Sequence, residues 1–408
     1  MKILHTSDWH LGKSLDNQKR YDEFDRFLEW LIEFIAHEKI DILLVAGDIF
    51  DTTTPSNRAQ ELYYRFLGKV ARTCCGHVVI IGGNHDSPTL LDAPKSILKA
   101  IDVHVMGSVT DNPEDEVIEL KSKSGETQAI VCAVPYLRDR DVRTVSPGED
   151  PGDKTKKLLE GIASHYEHIA QISRRLKSDR TSVPVIGMGH LFTRNARTIE
   201  GDGVRELYIG TLAHIEEKKI SEGFDYMALG HLHMAQKAEN SDIVRYSGSP
   251  LPMSFSEAGQ TKKVIVAEFK GDVPVITEHP VPCFQELKRL SGDIGTLTSR
   301  IEELINEGSR AWLEIEITAF TAEANLTDYF DSLLKGSSLE ILRIKNSAVA
   351  ERVLSRVNET ETLETIDPYV VFTRCLDAGN VPEEDRGILI ETYHEAMNAI
   401  QNADTNAN

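Results

Sequence analysis

The sequence predicts an α/β fold, and three observations carry that prediction. Short apolar runs alternate with helical stripes through the first third of the chain. Small clusters of Asp, His, Asn and Gly stand just beyond the ends of the apolar runs, and the pattern changes after Pro280-Val281-Pro282. Strand alternating with helix builds a sheet with helices packed on it. Polar residues beyond strand ends are where such sheets place their sites.

In chain order, Lys2–Thr6 is a short apolar strand that ends at Ser7-Asp8. From Tyr21 to Lys39, Phe24, Phe27, Leu28, Leu31, Ile32 and Ile35 form one helical stripe. Asp41–Ala46 is a buried strand ending at Gly47-Asp48, and a helix follows from about Ser56, its N-cap, to Ala71. His77–Ile81 is the next strand, closed by Gly82-Gly83-Asn84. A charged stretch then carries an amphipathic helix over about Lys154–Leu176. Strand signals return at Val183–Met188, Tyr226–Leu229, Ile243–Tyr246 and Lys262–Phe269. Beyond Pro282, Ala311–Ala319 alternates, with Leu313, Ile315 and Ile317 on one face and Trp312, Glu314 and Glu316 on the other. A helix with Leu326, Phe330, Leu333 and Leu334 on its stripe leads to a strand at Leu339–Ile344, a small βαβ arrangement. The expected organisation is therefore a site-bearing domain over 1–280, a small βαβ cap domain over 281–348, and a helical segment with a polar tail over 349–408.

Composition narrows the setting. A chain of 408 residues suits two or three domains at about 100–200 residues each. No run of about 18 apolar residues occurs, and MKILHTSDWH meets polar residues too early for a secretory leader. The expectation is a cytoplasmic protein without a membrane span. Cys74, Cys75, Cys132, Cys283 and Cys375 form no CxxC pair, which points to reduced, mostly buried thiols. The formal net charge of −20 is opposite to the basic balance by which proteins bind nucleic acid. Either the substrate is small, or metals and a partner supply the positive field.

Five motifs carry the chemistry, each at a strand-to-loop junction: Asp8-x-His10, Gly47-Asp48-x-x-Asp51, Gly83-Asn84-His85-Asp86, Gly189-His190 and Gly230-His231-x-His233. One such motif alone is weak, because Asp and His also serve as caps and core hydrogen-bonders. Five in series are not explained that way. Carboxylate, amide and imidazole donors without thiolate suit Mn²⁺, Fe or Zn²⁺, and several imidazoles speak against a site built for Mg²⁺ alone. Two cations about 3.5–4 Å apart need a shared carboxylate, and Asp48 is the natural bridge.

The order of these motifs resembles the calcineurin-like metallophosphoesterase superfamily, whose fold is a β-sandwich flanked by helices. The resemblance implies two divalent metal ions, with manganese expected. Asp8, His10, Asp48 and His233 would hold the first, and Asp48, Asn84, His190 and His231 the second. It further implies that His85 is the proton donor to the leaving oxygen and that the Asp51 carboxylate orients His85. Asp86 would brace the loop. The reaction implied is in-line attack on phosphorus by a water that the cations make acidic, with no covalent intermediate.

HTSDWHLGK (His5–Lys13), GDIFDTTTPS (Gly47–Ser56), GNHDSP (Gly83–Pro88), GHLHMAQ (Gly230–Gln236) and YSGSPLPMSFSE (Tyr246–Glu257) are similar to the SbcD family specifically. The similarity runs from residue 1 to about 400 and takes in IDPYVVFTRCL (Ile366–Leu376). It implies an exonuclease and endonuclease that acts on DNA ends and hairpins. Such a subunit forms a homodimer within a heterotetramer, partnered by an SbcC-type ABC ATPase with coiled coils. Protein phosphatases of the superfamily carry GDxVDRG, whereas Thr52-Thr53 follow Asp51 here.

Lys13, Asn17 and Arg58 follow the metal-bearing loops and are candidates for phosphate contact, against the ordinary reading of solvated surface. Ser247 and Ser249 are candidates for the floor of the site. A final helix over about Pro382–Gln401 carries Ile390, Tyr393, Met397 and Ile400 on one stripe, which suits docking on a partner helix or packing on its own domain. Two other readings stand beside the nuclease. One is a stand-alone phosphodiesterase or nucleotidase for small molecules. The other is a non-catalytic scaffold for the ATPase, which predicts missing ligands, and none is missing.

Overall fold

The run Ile42–Ala46 (ILLVA) is buried along its whole length because it lies in a sheet covered on both faces. The structure, a computed structural model, describes residues 1–143, 150–178, 180, 182–193, 215–238, 241–271, 273–319, 326–347, 368–378, 381 and 383–405. Its contacts divide the chain into two units, Met1–Glu286 and Leu287–Asn408.

The larger unit stacks two six-stranded sheets. Across the first run Val275–Pro280, Lys263–Glu268, Lys2–Thr6, Ile42–Ala46, His77–Ile81 and Val103–Met106. The last four are parallel, and the first two join antiparallel. The second sheet runs Gln236–Lys237, Val244–Tyr246, Tyr226–Gly230, Val185–His190, Thr127–Ala133 and Val117–Lys121, with its four central strands parallel. Successive side chains of a strand point to opposite faces. Leu43 and Val45 therefore enter the layer under helices Tyr21–Glu38 and Asn57–Val70. Ile42, Leu44 and Ala46 meet Val131, Ile186, Met188 and Ala228 between the sheets. Helix Pro151–Lys177 covers the second sheet through Leu158, Ile162, Tyr166 and Ile169. Each such buried side chain contributes about 1.5–3 kcal/mol. The fold is the helix-flanked β-sandwich that the motif order implied.

Polar groups also stitch the sheets. His5 bonds Tyr226 Oη at 2.9 Å and Leu229 O at 3.2 Å across the sandwich. Burial, only partly offset by the Leu229 carbonyl, lowers its pKa to about 3, so it is a neutral structural imidazole. Ser56 caps its helix by accepting from Ala59 N at 3.2 Å, as expected.

The sequence patterns leave residues 87–138 without an element, and the structure fills them with Val103–Met106, Val117–Lys121 and Thr127–Ala133. The first two are the outer edges of the two sheets. Thiol burial also differs from expectation: Cys132 is buried, Cys75 half-buried, and Cys74 and Cys283 exposed. All of these are free, and the Cys375 side chain lies outside the described residues.

The break between units falls after the Pro280-Val281-Pro282 expected to mark it. Val281 packs in the core under the first two helices, its N–H donates to Lys262 O at 2.8 Å, and Arg26 lies over the Phe284 ring. The second unit contains three parallel strands, Leu287–Gly292, Trp312–Ile317 and Glu340–Asn346. Leu313, Ile315 and Ile317 pack with helices Ile294–Asn306 and Leu326–Leu334. The opposite face holds Glu314, covered by Arg289, Arg343 and Lys345. Helices Pro368–Ala378 and Glu383–Thr405 follow, and Phe372 stacks on Tyr393 at 4.3 Å between centroids. The expected helical stretch from 349 to 367 lies outside the described residues.

Candidate metal centre

Each motif lies at or just beyond the end of a parallel strand, and local backbone geometry turns several of its residues inward. Asp8, His10, Asp48 and His231 all have positive φ, at 53°, 47°, 50° and 95°. Left-handed backbone costs a residue with a Cβ about 1–3 kcal/mol and persists where the surroundings over-determine it. Trp9, between Asp8 and His10, anchors that turn. It is fully buried edge-on to Phe27 and Phe66, and its Nε1 donates to Thr6 Oγ1 at 3.0 Å. Glycines of the motifs are sterically required. A Cβ on Gly47, whose φ is +88°, would stand 2.2 Å from His190 Nδ1, and one on Gly83 would stand 2.2 Å from Asp48 Oδ1.

The motifs converge. One ligand atom each from Asp8, His10 and His233 lies within 4.8 Å of the others, and the same holds for Asp48, His190 and His231. Asn84 joins the second group, its Oδ1 being 3.0 Å from His190 Nε2 and 3.1 Å from His231 Nδ1. Asp48 stands between the groups. Its Oδ2 is 3.3 Å from His190 Nε2 and 3.7 Å from His10 Nε2, while its Oδ1 accepts from His85 N at 2.9 Å. His10 Nε2 and His233 Nε2 face each other at 3.2 Å, an approach of two ring nitrogens that needs a proton or a cation between them.

Around this centre the remaining polar groups hold loops in place. Asp86 accepts from Gly83 N at 2.8 Å, Phe50 N at 2.9 Å and Ile49 N at 3.1 Å, tying the Asn84 loop to the Asp48 loop. Asp8 accepts from His231 N at 2.9 Å and from Ser7 Oγ at 2.6 Å, and Ser7 Oγ meets Ser247 Oγ at 2.7 Å. His190 Nδ1 meets Ala46 O at 2.9 Å, and Phe192 packs edge-on against His231.

Electrostatics follow from many charges held away from water. Burial pushes the Asp48 carboxyl up, but His190, His10 and His85 together hold it well below the usual range. Burial raises Asp8, against His190 and His233. His190 is opposed by burial yet lifted to about 9 by Asp48, Asp8 and the Ala46 carbonyl. Among the described residues, the buried His231 Nε2 has no hydrogen-bond partner. Buried carboxylates and imidazoles in this density suit divalent metal binding.

Asp51 departs from its expected role. His85 Nδ1 bonds the Asp51 main-chain carbonyl at 2.8 Å, not its carboxylate. The carboxylate instead meets His10 Nδ1 at 3.3 Å and Lys13 Nζ at 3.0 Å. Loop curvature brings the main chain, rather than the side chain, over the imidazole. The His85 ring lies edge-on to His10, 4.8 Å between centroids.

Among the phosphate-contact candidates, Lys13 borders the centre through Asp51. Asn17 is exposed in a two-residue turn with Asp16, both at positive φ. Arg58 pairs with Asp22 at 3.0 Å and lies over the Tyr21 ring. The motifs missed Glu257 and Lys262, both buried, which stand behind His233. The signal for Glu257 was the SFSE stretch, similar to the family yet outside the motifs; Lys262 lies beyond it. An acid five residues from a lysine ordinarily reads as surface.

Known proteins share this organisation. Residues 1–235 match the calcineurin-like phosphoesterase family, and residues 283–380 match the type 5 capsule protein repressor C-terminal domain. The SbcD component of the nuclease SbcCD of Escherichia coli K12 is 34% identical over 404 residues, 98% of either chain. Its counterpart of the same name from Rhodobacter capsulatus is 34% identical over 69% of this chain and 70% of its own. In Bacillus subtilis the figures are 31%, 78% and 79%.

Proposed function

The chain belongs to the calcineurin-like phosphoesterases and, within them, to the SbcD family, and from that premise we propose that it is the nuclease subunit of an SbcCD-type complex, hydrolysing phosphodiester bonds. The observation that carries this reading is Asp48, whose one carboxylate oxygen faces a histidine from each of two buried ligand groups. That is the bridge a pair of cations requires.

In this reading Asp8, His10, Asp48 and His233 hold one divalent ion, and Asp48, Asn84, His190 and His231 hold the other. Manganese is the metal expected from the family likeness, while the mixed imidazole and oxygen donor set suits Mn²⁺, Fe or Zn²⁺. When bound, the pair supplies positive charge that polarises the phosphoryl group and lowers the pKa of a water nucleophile. The chain's own residues do the rest. His85, with Nδ1 committed to the Asp51 carbonyl, keeps Nε2 for a proton delivered to the leaving oxygen. Asp86 keeps the loops of Asp48 and Asn84 in register. Lys13, held by Asp51 at the rim, is the candidate with a short reach to a substrate phosphate. Asn17 and Arg58 are the outlying ones.

DNA ends and hairpins are the proposed substrates and a coiled-coil ABC ATPase the proposed partner, with a homodimer of this chain in the assembly. The setting is cytoplasmic. Among the described residues no helix is long and apolar enough to cross a membrane. Residues 281–348 are proposed as the cap and 349–408 as the partner-binding segment. On the last helix, Tyr393 of the expected docking stripe stacks on Phe372, and the Ile400 side chain lies outside the described residues. Ile388 and Leu389 are exposed there, with Val370 on the preceding helix, so these three are the better docking candidates.

The test is hydrolysis of linear DNA, hairpin DNA and bis-(p-nitrophenyl) phosphate with Mn²⁺, with and without the ATPase. Metal-dependent cleavage of all three, with DNA cleavage enhanced by the ATPase, is expected. Turnover of bis-(p-nitrophenyl) phosphate but not DNA, with or without the ATPase, would favour a small-molecule phosphodiesterase, and no hydrolysis at all a scaffold.

A further inference from the structure

Behind His233 the chain buries a charged pair. Glu257 Oε1 lies 3.3 Å from His233 Nδ1, and Glu257 Oε2 accepts from Lys262 Nζ. The same ammonium donates to Ser249 Oγ at 3.1 Å and to the His233 main-chain carbonyl at 3.0 Å. Glu257 is 1% exposed and Lys262 7%. Charges so far from water are tolerated only when paired, and here the pair is built onto both the ring and the backbone of one histidine.

An imidazole binds a cation through one nitrogen, and what the other nitrogen meets sets tautomer and ring orientation. With Nδ1–H donated to Glu257, His233 presents the Nε2 lone pair toward His10 Nε2, 3.2 Å away. His10 Nδ1 makes no such hydrogen bond among the described residues, although the Asp51 carboxylate, held by Lys13, lies 3.3 Å from it. Among the described residues, the neutral Ala46 carbonyl is what His190 Nδ1 meets. A carboxylate brace raises the basicity of its imidazole more than a neutral carbonyl does.

We propose that Glu257, anchored by Lys262, is a positioning residue that holds His233 with Nε2 facing Asp8 and His10 and strengthens divalent-cation binding in that half of the centre. The proposal rests on the two-cation reading above. Its test is Mn²⁺ binding to the metal-free full chain. Equilibrium dialysis with elemental analysis counts the ions, and electron paramagnetic resonance distinguishes a coupled pair from an isolated ion. Glu257→Gln is one variant. The double variant Glu257→Leu with Lys262→Met is the other, because removing both charges leaves no buried ion uncompensated and favours folding. Both are expected to bind one ion about 10–100-fold more weakly and the other as wild type does, with the isolated-ion signal replacing the coupled one at stoichiometric Mn²⁺. Unchanged affinity at both positions in both variants overturns the proposal, and so does equal weakening of both, which marks a general packing role. A wild-type chain that binds no Mn²⁺ instead removes the two-cation reading itself.

Discussion

His233 and His190 belong to opposite halves of one buried cluster, and different matter stands behind them. A lysine-anchored carboxylate backs His233, whereas the main-chain oxygen of Ala46 backs His190. The Ala46 carbonyl sits at the end of a core strand, so the fold itself places it, and no substitution removes it. Glu257 offers a side chain from the short 3-10 turn Phe255–Glu257, so a single substitution deletes it. One half of the centre is thus braced by architecture and the other by charge.

Removing the part common to both halves should have the largest effect. Asp48→Ala is expected to lower metal content from two ions per chain to one or none and to reduce hydrolysis by at least about 10³-fold. Elemental analysis still finding two ions would break the comparison at its root. His85→Gln belongs to neither half and should cost about 10²–10⁴-fold in DNA cleavage with both ions retained. Bis-(p-nitrophenyl) phosphate should suffer much less, since p-nitrophenolate leaves without a proton, and equal losses on the two substrates would deny His85 the proton-donor role. Gly47→Ala strikes the architectural half, because its Cβ would meet His190 Nδ1 at 2.2 Å. Dialysis should show one ion bound about 10–100-fold more weakly, and this should be the ion that Glu257→Gln spares. If both variants weaken the same ion, the division into halves fails. Truncation after Asn346 should have the smallest effect on chemistry. Metal content and diester hydrolysis stay at wild-type level while binding of the ATPase weakens, as a pull-down or titration calorimetry would show.

Legibility in the sequence followed burial. Ile42–Ala46 and His77–Ile81 read as strands because every residue in each is buried. Val275–Pro280, a mostly exposed edge, carries no such pattern and had to be found in space. Val117–Lys121, also an edge, is similar in mixing buried and open positions. At the centre, the motifs pointed to Asp8, His10, Asp48, Asn84, His190, His231 and His233, and the structure gathers them in two groups around Asp48. Asp48, Asn84, His190 and His231 each follow a glycine, and Asp8, His10 and His233 stand two to four residues past a strand end, a local signal that survives without knowledge of partners.

What the amino-acid sequence determined by itself was local: which runs bury both faces, where the chain turns, and which donor atoms stand at the turns. Only the tertiary structure decided which atom faces which. It gave His85 the Asp51 carbonyl instead of the carboxylate, placed Glu257 and Lys262 behind His233, and brought His231 N to Asp8 across 223 positions of chain. The reason is one of scale. Strand and turn preferences are set by neighbouring residues, whereas a hydrogen bond or an imidazole tautomer is settled by differences of a few tenths of an ångström between distant segments, which exist only once the two sheets have packed.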